Sequence, residues 1–114
     1  MIKLVSDTIN KDDIKRLVTW LSQEDTPILT KNKVTLEFEG KWSDKIGVKN
    51  TCYVNSGSSA ILLALAALKE SGRLKNNKLV APALSWATDV SSPMLLGMDV
   101  ELCDCNLHDL SIDL

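Results

Sequence analysis

The stretch Tyr53-Val54-Asn55-Ser56-Gly57-Ser58-Ser59-Ala60-Ile61-Leu62-Leu63-Ala64-Leu65 constrains this chain more than any other. A short strand-like run meets a Gly/Ser turn, and the turn opens directly into an apolar helix. The first backbone N–H groups of a helix have no intrahelical acceptor, and small hydroxyl side chains are their usual caps. Unpaired donors and the positive end of the helix dipole together favour an anion, and a phosphate group fits such a place. A phosphate cradle anchors a ligand but performs no chemistry, so any reacting groups have to come from elsewhere.

Composition narrows the partners. The chain has 114 residues, 45% hydrophobic and 25% charged, which is ordinary for a small globular domain and not for a disordered segment. The formal net charge is -2 and no basic stripe is present, which argues against nucleic acid as a partner. The longest apolar run, Ala60 to Leu68, is far short of the roughly 20 residues that a membrane span needs. The stretch Met1-Ile2-Lys3-Leu4-Val5-Ser6-Asp7 has no apolar signal core followed by a cleavage site, so the expected compartment is the cytoplasm. Three cysteines, Cys52, Cys103 and Cys105, are an odd count that does not suit a disulfide framework. Cys103 and Cys105 with His108 nearby have the look of a metal half-site, but no second ligand pair accompanies them. Two reduced thiols on a strand is the preferred reading.

Hydrophobic periodicity orders the elements. Asn10 followed by Lys11-Asp12-Asp13 reads as a helix start, and Ile14, Leu17, Val18 and Leu21 recur at helical spacing, which predicts an amphipathic helix over 11–23, ended by Asp25-Thr26-Pro27. Residues 34–46 carry two patterns. Val34, Leu36 and Phe38 alternate as in a strand, whereas Val34, Phe38, Trp42 and Ile46 recur every fourth residue, as in a helix closed by Gly47. Residues 52–55 read as a strand. Residues 58–71 read as a helix that is apolar nearly all round and therefore buried, ended by Gly72. Leu79-Val80-Ala81 is a second strand stopped by Pro82. A helix follows within 87–96, and Pro93 either kinks it or stands in its first turn after a start near Ser92. Val100-Glu101-Leu102-Cys103-Asp104 is a third strand. Alternating strands and helices imply crossover connections and parallel pairing. A sheet of these strands alone has exposed edges and a poorly covered face, which points to a fragment of a larger domain.

Three stretches in this order resemble the DegT/StrS family of pyridoxal-phosphate-dependent sugar aminotransferases, enzymes of fold type I. Leu29-Thr30-Lys31-Asn32-Lys33-Val34 through Phe38-Glu39 to Ile46-Gly47-Val48-Lys49 looks like the family's helical lead-in, which resolves 34–46 toward helix. Asn55-Ser56-Gly57-Ser58-Ser59-Ala60 looks like its phosphate-binding turn. Pro82-Ala83-Leu84-Ser85-Trp86-Ala87-Thr88-Asp89-Val90, then Gly97 and Asp104, looks like its next strand, turn, helix and strand. The Asn-Ser-Gly-Ser-Ser-Ala wording and the Ser85-Trp86 pair are closest to the branch that contains sugar 3-dehydratases.

The resemblance implies an α/β fold: the N-terminal part of the fold type I large domain, with a helical lead-in over 1–50 and an incomplete cofactor-binding region over 51–114 arranged β-α-β-α-β with parallel strands. It implies pyridoxal 5'-phosphate as cofactor, with Gly57, Ser58 and Ser59 on its phosphate and the Trp86 indole stacked on its ring. Read from the residues alone, Ser58 and Ser59 also suit a plain helix cap, and Trp86 a core position. At Gly57 a Cβ is expected to obstruct the ligand or strain the turn. Trp20 and Trp42 are expected in the core or an interface, and Asp104 and His108 receive no catalytic role. The family's acid beside the pyridine nitrogen, and its cofactor-linked lysine (histidine in the dehydratases), match no residue here; Lys69, Lys75 and Lys78 are not substitutes. The implied parent is a homodimer that moves an amino group from an amino acid, typically glutamate, to a nucleotide-linked keto-sugar, or removes a hydroxyl at the sugar's third carbon. The chain as given is expected to be inactive; a non-catalytic remnant that binds phosphate compounds or pairs with a longer relative is the non-enzymatic alternative.

Overall fold

The structure is a computed structural model that describes residues 7–25 and 27–113. The expectations placed on Met1 to Ser6 and on Thr26 lie outside the described residues. The chain divides into two compact units, Met1–Cys52 and Tyr53–Leu114.

The first unit holds two helices, α1 (Lys11–Leu21) and α2 (Lys33–Ile46). α1 forms where the sequence expects it and stops two residues sooner. Its start is a reciprocal cap: Asn10 Oδ1 accepts from the Asp12 and Asp13 N–H groups at 2.8 and 3.0 Å, and Asp13 Oδ2 accepts from the Asn10 N–H at 3.0 Å. Its apolar stripe, Ile14, Leu17, Val18 and Leu21, is exposed. α2 settles the ambiguous segment as helix. Gly47 ends it in the left-handed conformation at φ 70°, with the Gly47 and Val48 N–H groups both donating to the Ser43 carbonyl. Beyond it Thr51 folds back: its hydroxyl donates to the Glu39 carbonyl at 2.6 Å and accepts from Ser43 Oγ at 3.1 Å. Glu39 and Ser43 are buried there. Trp42 is not a core residue. It is exposed, stacks on Phe38 with ring centroids 6.1 Å apart, and carries the Lys45 ammonium 5.5 Å above its ring.

The second unit runs α3 (Gly57–Glu70), β1 (Lys78–Pro82), α4 (Ala87–Leu95) and β2 (Asp99–Cys103). β1 and β2 pair in parallel, in register from Lys78 opposite Asp99 to Pro82 opposite Cys103. α4 is the crossover between them and packs on both strands and on α3. The fold is thus the expected α/β type with parallel strands. Residues 52–55 are a correction: no strand forms there, and the sheet has two strands among the described residues. A run of strand-forming residues becomes a strand only against a neighbouring ladder, and β1 and β2 pair only with each other.

α3 is apolar as expected but is not fully covered within the described residues. Its composition argues for burial, yet none of its residues is buried and Leu63 is 50% exposed. Among the described elements it packs on α4 alone, which covers one side of a helix that is apolar all round. Pro93 neither starts α4 nor ends it. It lies in the last turn with its ring fully buried, and α4 closes one turn later at Gly97. There the Met98 N–H donates to the Pro93 carbonyl and the Gly97 N–H to the Met94 carbonyl, with Gly97 left-handed at φ 69°. Ala81 at 2% and Met98 at 6% exposure are the buried apolar residues beside Pro93, so this core is small. No helix among the described residues is long and apolar enough to cross a membrane.

Candidate functional site

The Gly/Ser turn begins α3, and Ser56 is its cap. Ser56 Oγ accepts from the Ser59 N–H at 3.1 Å and donates to Ser59 Oγ at 3.1 Å, while the Ser56 carbonyl accepts the first helical bond, from Ala60. That division leaves the Gly57 and Ser58 N–H groups and the Ser58 hydroxyl without a partner among the described residues. Of the expected cradle residues, Gly57 and Ser58 therefore present backbone donors. Ser59 has given its amide to Ser56 and retains its hydroxyl hydrogen. No acidic residue lies in the first turn, so the positive end of the α3 dipole is not offset there.

Gly57 differs from expectation in one respect. A Cβ built on it meets nothing within 4 Å, and its φ is outside the left-handed region. Adding a side chain there neither strains the turn nor strikes the protein. What a side chain removes is the open approach to the two free amides.

Trp86 stands between β1 and α4, beyond the carboxyl end of a parallel strand, where open α/β sheets hold ligands. It is 70% exposed, which excludes the core reading within this unit. The segment leading to it is fastened. The Ala83 N–H donates to the Cys103 carbonyl at 2.8 Å and Ser85 Oγ to the Pro82 carbonyl at 3.0 Å. α3 and α4 join at their C-terminal ends, where Lys69 Nζ donates to the Leu96 carbonyl and Asn77 Nδ2 to the Gly97 carbonyl. Both helices therefore start on the side where β1 ends, and the Gly57–Ser59 turn and Trp86 are those two starts. The Lys69 ammonium thus sits at the carboxyl end of α4.

A groove of about 690 Å³ runs along α3, lined by the apolar Val54, Leu62, Leu63, Ala66, Leu95 and Leu96 and by the polar Asn55 and Ser59. It carries no cation, and neither Gly57, Ser58 nor Trp86 lines it. Such a surface suits apolar packing and not a phosphate. No disulfide joins the cysteines: Cys103 Sγ lies 3.5 Å from the Ala81 carbonyl, and the Cys105 backbone pairs with that of Ile112 in an isolated antiparallel bridge. Among the described residues no three His, Cys, Asp or Glu side chains gather as a metal site. Asp104 Oδ1 accepts from the next amide, Cys105 N–H, at 2.8 Å. Sequence reasoning did not single out Ser56 as the group that divides the amides, nor Asp89, whose Oδ2 accepts from the Trp86 N–H at 3.2 Å. The spacing of a helix-start residue and an acid three positions later was the available signal.

A parallel strand pair with its crossover helix, and two helix starts on the side where β1 ends, make an α/β unit of the kind that holds ligands beyond the carboxyl ends of its strands. The chain belongs to the DegT/DnrJ/EryC1/StrS aminotransferase family, whose sequence profile matches residues 8–114. It is 34% identical over 113 residues to the UDP-4-amino-4,6-dideoxy-N-acetyl-beta-L-altrosamine transaminase of Campylobacter jejuni subsp. jejuni serotype O:23/36, covering 99% of this chain and 28% of that protein. It is 30% identical over 93 residues to the GDP-4-keto-6-deoxy-D-mannose 3-dehydratase of Escherichia coli O55:H7, covering 79% of this chain and 24% of that protein. A solved structure of the E. coli 3-dehydratase with bound hydrated pyridoxal phosphate superposes with a TM-score of 0.80 at 29% identity, over 96% of this chain and 28% of that one. The chain thus spans about a quarter of the length of the relatives it matches.

Proposed function

We propose that these residues are the phosphate-holding part of a pyridoxal-phosphate-dependent aminotransferase that acts on nucleotide-linked keto-sugars in the cytoplasm, in the assembly of polysaccharide or a related glycan. The observation that carries the reading is the pair of free amides, Gly57 and Ser58, at an α3 start with no acid in its first turn, in a chain that the family profile matches over residues 8–114. The residues present fit the group. Two N–H donors, the Ser58 and Ser59 hydroxyls and the helix dipole suit a phosphate dianion. The open side of Gly57 admits its close approach, and the exposed Trp86 indole suits a flat, electron-poor ring.

When bound, the cofactor supplies the electron sink for amino transfer or for loss of a sugar hydroxyl. The chain's own residues bind and orient: Ser56 keeps the α3 start capped while leaving two amides outward, and Trp86 offers a ring face. Residues 1–50 form the lead-in, and the working unit is a homodimer. A 3-dehydratase is the second reading, supported by the solved 3-dehydratase at a TM-score of 0.80. Neither reading gives the 114 residues turnover of their own, because none of them matches the family's cofactor-linked lysine or histidine.

The test is titration of the chain with pyridoxal 5'-phosphate, followed by absorbance and by competition with inorganic phosphate. Saturable binding that phosphate displaces is expected, and Gly57→Leu is expected to abolish it while the circular dichroism spectrum stays unchanged. Binding that survives Gly57→Leu overturns the cradle. Measurable transaminase turnover by the purified chain overturns the assignment of a binding role alone.

A further inference from the structure

We infer that Asp89 is a positioning residue for Trp86, fixing the backbone from which the indole is presented to the cofactor ring; the inference rests on the cofactor reading above. Trp86 occupies the cap position of α4, with extended backbone at φ -76° and ψ 140°. It is a poor residue for that place, since the indole has a donor and no acceptor for the free amides of the first turn. The cap is built from the other side. Asp89 Oδ2 accepts from the Trp86 N–H at 3.2 Å, and the Asp89 N–H donates back to the Trp86 carbonyl at 2.9 Å. Asp89 thus holds both polar backbone groups of one residue.

The ring itself has no such anchorage. Trp86 is 70% exposed and stacks on no other ring among the described residues. Its direction is therefore set through its main chain and by the staggered wells of its side-chain torsions. Upstream, the segment is already fixed at Ala83 and Ser85. The Asp89 contact is the last fastening before the indole, and it leaves the ring free to move only about its own two torsions. A main chain held in this way needs no further ordering when a flat ligand stacks on the indole, so only the two side-chain torsions remain to be fixed, which is the benefit of preorganisation.

The test uses the Trp20→Phe, Trp42→Phe chain, in which Trp86 is the sole indole. Three readings are taken: indole fluorescence anisotropy without ligand, quenching at saturating pyridoxal 5'-phosphate, and the thermal midpoint. In that background Asp89→Ala is expected to lower the ligand-free anisotropy, to cut the quenching at saturation by about half, and to weaken cofactor affinity several-fold. Asp89→Asn keeps an acceptor oxygen and is expected to restore all three. A merely structural role moves the midpoint without changing the quenching reached at saturation. Anisotropy and quenching unchanged by Asp89→Ala overturn the inference, and so does an Asp89→Asn variant that behaves as Asp89→Ala, because charge and not the accepted bond is then what matters. Hydrogen exchange of the Trp86 amide in the unaltered chain covers a variant that fails to fold: slowed exchange is expected, and exchange at the free-peptide rate overturns the tether. If the parent binds cofactor with no quenching of Trp86, or if Trp86→Ala binds as tightly as the parent, the stacking reading fails first and the inference falls with it. Quenching that depends on Trp86 but not on Asp89 rejects the inference alone.

Discussion

At Ser56 a single hydroxyl decides how many amides the α3 start has to offer. By taking the Ser59 N–H it caps the helix, and it leaves the Gly57 and Ser58 amides without an acceptor among the described residues. Ser56→Ala is expected to cost about 1 kcal/mol, the usual effect of losing a cap, read as a lowered thermal midpoint. An unchanged midpoint contradicts the cap. Asp109 provides a pH probe outside that turn. Bonds from the Ser111 hydroxyl and amide, the latter at 2.9 Å, hold its carboxyl below the ordinary aspartate value. A depressed folded-state value means that the contact stabilises above the unfolded value and is lost as pH falls through the folded one. The contact is therefore complete at neutral pH and opens only in acid, below about pH 4. Carboxyl carbon NMR titration is expected to give Asp109 a midpoint lower than that of an aspartate in a short peptide; a higher one contradicts the bond.

Single elements differ in what holds them. α1 has a full reciprocal cap and no buried residue, so local bonding carries it. Asn10→Ala is expected to weaken it by about 1 kcal/mol, with loss of far-ultraviolet ellipticity and NMR shift changes confined to α1 and the residues just before it. Shift changes in α2 contradict that independence. α2 shows why periodicity alone left 34–46 open. Three alternating apolar residues and a four-residue repeat coexist there, and the residues just past the segment make the choice: a left-handed Gly47 and a Thr51 hydroxyl that returns to Glu39. Residues 52–55 failed as a strand for the opposite reason, since nothing local specifies the ladder a strand requires.

At the scale of the molecule, the described residues are rich in exposed apolar surface. Few apolar residues are buried, while Leu63, Leu84, Leu95 and Leu107 are exposed. Stability scales with the apolar area withdrawn from water, and the denaturant slope scales with the area exposed on unfolding. The 114 residues are therefore expected to unfold with a urea slope below about 1 kcal/mol/M, the low end for small proteins, and to bind the dye ANS before unfolding. A steep transition without dye binding contradicts this. The apolar groove along α3 belongs to the same surplus.

Local chemistry was legible in the order of the residues. The helix start at Asn10, the stops at Gly47, Gly72 and Gly97, the parallel α/β order and the Gly/Ser turn that opens α3 are all written in short-range spacing, because caps, left-handed glycines and crossovers depend on near neighbours. Packing in three dimensions was needed to show which amides of that turn stay free, that Gly57 is unstrained, that Trp86 faces outward on an Asp89 tether, and that α3 is covered on one side only. Those outcomes depend on which surfaces meet, and burial is a property of the surroundings that no residue carries in its own side chain.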